Sequence, residues 1–111
     1  SSIEIEENIY LDVEKAIPFG LIVNEIMTNF FKYVVSIEAD RHLSVQLRII
    51  ENKIIELICF DTGQGFPENV INGEINSLGL DLIESLAEQL DGQFNVSNND
   101  GAVYQLSFNI Q

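Results

Sequence analysis

One run of the chain strongly limits how the rest can fold around it. From Ile54 to Phe60 every position except Glu56 is apolar, and the run stops at Asp61, which is followed by Thr62-Gly63-Gln64-Gly65. Near-continuous apolar character is the pattern of a central strand covered on both faces. Asp61 then emerges at the strand end, where Gly63 and Gly65 permit conformations and close approaches that a side chain would block. Two readings are open at this point: a ligand site built at a strand end, or the ordinary turn chemistry of Asp and Gly after any strand.

The flanking segments supply neighbours for that strand. Leu43, Val45, Leu47 and Ile49 alternate with Ser44, Gln46 and Arg48, which predicts a half-buried strand joined to the central one through a short turn at Glu51-Asn52-Lys53. Ile3 and Ile5 alternate with Glu4 and Glu6, and the pattern resumes around Ile9 to Leu11, so a short charged edge strand is expected. Phe94 and Val96, then Ala102, Tyr104, Leu106, Phe108 and Ile110, predict two last strands around the hairpin signal Asn98-Asn99-Asp100-Gly101.

Between about Val13 and Val35 the period becomes helical, with Asp12 as a candidate N-cap and the regular helix beginning around Pro18. A helical wheel assigns Ile22, Val23, Ile26, Met27, Phe30, Phe31, Tyr33 and Val34 to one arc, and Asn24, Glu25, Thr28, Asn29 and Lys32 to the opposite one. A second amphipathic helix opens at Ser77-Leu78-Gly79-Leu80, turns Leu82, Ile83, Leu86, Ala87 and Leu90 inward, and is capped by Gly92. Residues 66–76 show no period and read as a loop placed to act as a lid over Asp61. The order strand, long helix, hairpin, loop, helix, hairpin predicts an α+β, two-layer α/β sandwich with helices on one face of a mixed sheet, residues 1–111 forming a single domain.

Charge narrows the ligands. With 18 acidic residues against 5 basic ones the net charge is -13, which leaves no electrostatic footprint for nucleic acid or for direct contact with an anionic membrane. A polyphosphate ligand would need backbone amides, a helix N-terminus or a divalent cation to screen this charge. The polar arc of the first helix is either a solvated face or a ligating one; Glu25, Asn29 and Lys32, at i, i+4 and i+7, suit a hydrated magnesium and a phosphate chain. Gly79 serves either phosphate approach or close packing. The single cysteine, Cys59, reads as a buried structural thiol, and the single histidine, His42, as an exposed residue at the end of the polar connection 36–42. No stretch is long and apolar enough to span a bilayer and the N-terminus is no signal peptide, so the expected location is cytoplasmic, as one domain of a larger soluble or membrane-anchored protein.

Four of these features occur in a recognisable order. Asn24-Glu25-Ile26-Met27-Thr28-Asn29-Phe30-Phe31-Lys32-Tyr33 resembles the N box of the ATP-binding family that includes histidine kinases and type II topoisomerases, and Asp61-Thr62-Gly63-Gln64-Gly65 resembles its first glycine box. Ser77-Leu78-Gly79-Leu80 resembles the second, and Asp100-Gly101-Ala102 stands where the closing Gly-Thr is expected. Within that family the pattern is most similar to catalytic domains of the second HisKA type and the related HWE kinases. The resemblance implies a Bergerat fold, with a mixed, mainly antiparallel sheet, holding ATP and Mg2+. It implies that Asp61 accepts the adenine amino group, that Gly63 and Gly65 shape the turn beneath the base, and that Asn29 ligates magnesium. Glu25 would position or activate the attacking group, Lys32 would touch phosphate, and the main chain from Ser77 through Leu78, Gly79 and Leu80 would hold the rest of the phosphate chain.

The implied partners are a histidine-bearing dimerisation domain of the same protein and a response regulator. Because His42 does not fit the family's helical acceptor motif, the chain is expected to bind nucleotide but not to phosphorylate itself. Two departures stand out: Phe30 replaces a small residue after the N-box asparagine, and Ala102 replaces the threonine that usually supports the adenine-binding aspartate. A stand-alone anti-sigma-type serine kinase and a non-catalytic docking module of the same fold are the alternative readings.

Overall fold

The computed structural model describes residues 2–5, 9–34, 42–63, 65–74 and 79–110, and of residues 2, 4, 5 and 32–34 the backbone alone. Its strands are β1 (Ser2–Ile5), β2 (Leu43–Ile50), β3 (Ile54–Asp61), β4 (Gln93–Asn98) and β5 (Ala102–Asn109). They form one sheet in the order β1-β2-β3-β5-β4, with β1 parallel to β2 and every other pairing antiparallel. The sheet is therefore mixed and mainly antiparallel, as expected. Register puts Cys59 between Val45 and Tyr104, and Asp61 between Leu43 and Ala102, on one face. Helices α1 (Val13–Val34), α2 (Glu68–Ile71) and α3 (Leu80–Gln89) cover that face. Phe19 of α1 meets Phe108 with ring centroids 5.5 Å apart, and Ile22, Ile26, Val70, Ile83 and Leu86 complete the apolar layer between helices and sheet. Cys59 is 1% exposed within it, and burial pushes its thiol up to about 12, the behaviour of a structural cysteine.

The central strand differs from the expectation that both its faces are covered. Ile55, Leu57, Cys59 and Asp61 are buried, whereas Ile54, Ile58 and Phe60 on the reverse face are only half-buried. The described helices all lie on the first face, and reverse-face residues are sheltered by cross-strand neighbours instead. Phe60 sits between Ser44 and Val103, and Arg48 pairs with Glu56 directly opposite, with N and O 2.7 Å apart.

The first helix begins earlier than its proline. The Asp12 carbonyl accepts from the amides of Lys15 at 3.0 Å and Ala16 at 2.8 Å, so α1 is already formed when Pro18 enters it. Proline there leaves the Glu14 carbonyl without its helical donor, a cost set against burial of Pro18 itself. The wheel also misplaces two residues. Phe31 is 57% exposed because it lies two and a half turns beyond Ile22, while Asn29, close to two whole turns beyond Ile22, faces inward at 6% exposure. Tyr33 and Val34 side chains fall outside the described ones.

Two further expectations are corrected in the second half. Leu82 is 49% exposed and Leu80 takes the inward position, since Leu80, Ile83 and Leu90 share the helix phase that Leu82 breaks. Gly92 is not the left-handed residue at the helix end. Asp91 holds that conformation at φ 51, while the Gly92 amide donates to the Ala87 carbonyl at 2.9 Å and the Asp91 amide to Glu88 at 3.0 Å, a Schellman arrangement. Gly92 is required by crowding: a Cβ there would come within 2.7 Å of the Ser107 carbonyl oxygen. Residues 66–74 are not a plain loop either, for they include α2, with Phe66 and Val70 buried in the core. Residues 75 and 76, the rest of the expected lid, and Ser77 and Leu78 of the expected helix start lie outside the described residues.

Candidate functional site

Asn29 and Asp61 are the two buried side chains with an amide or carboxyl group among the described residues, at 6% and 8% exposure. Burial of such groups is costly unless each is hydrogen-bonded, and none is left unsatisfied among the described residues. Both lie on the helix-covered side, Asn29 near the end of α1 and Asp61 at the last position of β3.

The main chain around Asp61 is tightly specified. The Gly63 amide donates to Asp61 Oδ1 at 2.9 Å, a turn closed by the aspartate's own side chain. The turn chemistry and the strand-end site are thus the same feature. Thr62 extends the β2–β3 ladder past the strand: its amide donates to the His42 carbonyl at 3.1 Å, and its Oγ1 accepts from the His42 amide at 2.8 Å. Across the sheet, the hairpin between β4 and β5 passes so close that a Cβ on Gly101, which has φ 140, would overlap the Asp61 carbonyl oxygen. Ala102, the position of the missing threonine, is buried and directly in register with Asp61.

A second group forms where α1 faces α3. The half-buried Glu25 lies over Gly79, the residue preceding α3, which has φ 72. A Cβ on Gly79 would overlap Glu25 Oε1 and come within 2.9 Å of the carboxyl carbon. The glycine is therefore needed for both its left-handed backbone and its contact with the carboxylate. A negative group at the positive end of a helix is favourably placed, and the first amides of α3 lie beside it. Leu80 is a core residue at 3% exposure, which leaves its main chain as the part available to a ligand.

The structure thus joins Asp61 with Gly63 and Gly101, and Glu25 with Gly79. The side chain of Lys32, and Ser77 and Leu78 entirely, lie outside the described residues. No cluster of three or more His, Cys, Asp or Glu residues suited to a metal occurs among the described residues. Glu25 and Asn29, one turn apart, offer the oxygen donors that fit a magnesium ion held mainly by ligand phosphates and water.

One contact of this region was not legible in the sequence. Asn98, read only as the first residue of a hairpin turn, bonds the main chain of Phe66 through both ends of its amide. A bond spanning so much chain leaves no local spacing signal.

No protein-family model matches the chain. It is 24% identical over 91 residues to blue-light-activated histidine kinase 2 of Erythrobacter litoralis, covering 82% of this chain and 26% of that protein. Among solved structures it is similar to the histidine kinase domain of a blue-light-activated histidine kinase from Erythrobacter litoralis, with TM-score 0.85, 21% identity, and coverage of 98% of this chain and 50% of that one. The mycobacterial sensor histidine kinase MprB matches with TM-score 0.70 and 19% identity over 96% of this chain and 81% of its own. The chain spans about a quarter of the curated relative and half of the Erythrobacter domain. The expected two-layer fold, and the resemblance to histidine kinase catalytic domains, are borne out at the level of fold.

Proposed function

We propose that this chain is the ATP-binding catalytic domain of a two-component sensor histidine kinase. The observation that carries this reading is the burial of Asn29 and Asp61, one in each of the two boxes that the resemblance assigns to metal and base. A chain selected for stability alone gains little from an amide and a carboxylate in those positions, because desolvating them costs more than burying apolar groups of the same size. In the proposed site Asp61 accepts a hydrogen bond from the adenine amino group, with Gly63 and Gly65 beneath the ring. Asn29 and Glu25 face the phosphate end, Lys32 contacts phosphate, and the amides from Ser77 to Leu80 complete the cradle. Magnesium, when bound, neutralises phosphate charge; the chain's own groups hold the nucleotide in line for attack and keep water out.

In the transfer, a ring nitrogen of a histidine on a separate dimerisation domain forms a bond to the γ-phosphorus as the bond from that phosphorus to the β–γ bridging oxygen breaks, and ADP leaves. The phosphoryl group then passes to a response regulator. No described helix is long and apolar enough to cross a membrane, and the proposed supply of ATP is cytoplasmic.

Ala102 in register with Asp61 favours a second reading, a docking module of the same fold that no longer binds nucleotide. Titration of Mg-ATP into the protein and into Asp61→Asn decides between them. Binding by the parent chain and at least a roughly tenfold loss in the variant, the worth of a charge-assisted hydrogen bond, are expected. No binding by the parent would sink the kinase reading.

A further inference from the structure

Asn98 closes β4 with a contact that the strand ladder does not require. Its Oδ1 accepts from the Phe66 amide at 2.8 Å, and its Nδ2 donates to the Phe66 carbonyl at 2.9 Å. One side-chain amide thereby satisfies both polar groups of one main-chain residue, as a neighbouring strand would. Gly65, at φ 82, leaves room for it: a Cβ there would lie 2.6 Å from Asn98 Oδ1. On its other side the Phe66 ring is buried edge-on to Tyr104, with centroids 5.1 Å apart, and Tyr104 is in register with Cys59 of the strand that ends at Asp61. The chain leaving Asp61 is thus held at Phe66 from two directions.

We propose that Asn98 is a positioning residue for the base end of the nucleotide site. Its clamp fixes the main chain at Gly65 and Phe66, so Gly65 keeps one height and angle relative to Asp61 before any ligand arrives. This rests on the ATP-binding reading of Asp61, Gly63 and Gly65. Asn98 acts through the loop, and its chemistry is specific: aspartate supplies acceptors without the donor, and glutamine, one methylene longer, runs into the space that Gly65 leaves.

The test is an NMR titration of the full chain, parent and Asn98→Ala, with Mg-ATP and, separately, with magnesium and inorganic triphosphate, which probes the phosphate end alone. Asn98→Ala is expected to lose about fivefold in ATP affinity, the worth of one modest hydrogen bond, and to bind triphosphate as the parent does. A variant that binds ATP within twofold of the parent, or that weakens both ligands alike, overturns the proposal. If Asn98→Ala does not fold, Asn98→Asp keeps the shape and the acceptor and takes its place in both titrations, where a selective loss of ATP affinity supports the clamp and either of the other two results overturns it. A parent chain that binds no Mg-ATP sinks the underlying reading as well, which separates that failure from failure of the clamp alone.

Discussion

Asp61 is where single residues decide most. Its carboxylate is buried, accepts from the Gly63 amide, and stands in register with the Ala102 methyl group across the strand. Directly opposed residues in an antiparallel pair bring their Cβ atoms within about 5 Å, so a hydroxyl at position 102 would lie beside that carboxylate. Ala102→Thr is expected to tighten Mg-ATP binding by up to roughly tenfold while lowering stability by about 1 kcal/mol, since the site is already packed. Calorimetric titration and urea denaturation read the two effects separately, and movement of both in the same direction would contradict the pairing. Asp61 and its glycines were legible in the sequence because a strand end and its turn are local chemistry. Their tie to Asn98 was not, because it exists only once β4 has been laid beside β5.

At the scale of elements, phase was the part that sequence left loose. Each residue advances a helix by about 100 degrees, so an arc drawn one position wide of the true face admits Phe31 and Leu82, both exposed, and excludes the buried Asn29. The existence and order of the elements were legible, since they depend on a period rather than on its origin. Their ends depend on single residues, and α3 shows this. Its Schellman turn places an aspartate, not a glycine, in the left-handed conformation at φ 51. Asp91→Gly removes the strain on a Cβ there and is expected to raise unfolding free energy by about 0.5 kcal/mol, measured by urea denaturation at constant m-value. A fall in stability would mean that the Asp91 side chain makes a contact of greater worth.

For the molecule as a whole, the net charge of -13 and the acidic nature of the ligand proposed for it are reconciled by where the charge stands. In the proposed site the phosphates would meet the first amides of α3, Lys32 and a metal that screens Glu25, while carboxylates such as Glu84, Glu88 and Asp91 lie exposed on the outer side of α3 and its end. The two-layer architecture could be read ahead of the structure because alternating and helical periods fix which elements have an apolar side. What could not be read was the direction of the first strand. Ser2 pairs with Ser44 in parallel, with the whole of α1 between them, whereas β2 and β3 are joined by a turn at Glu51–Lys53 and β4 and β5 by one at Asn99–Gly101. Contacts distant in sequence carry a loop-closure cost and form late, while hairpins close early. β1 is also a four-residue edge strand with a single partner, so it is the first to open. In hydrogen-exchange experiments its amides should trade with solvent well before those of β3 and β5, so the sheet can fray at its N-terminal edge while the strands bearing Asp61 and Ala102 remain closed.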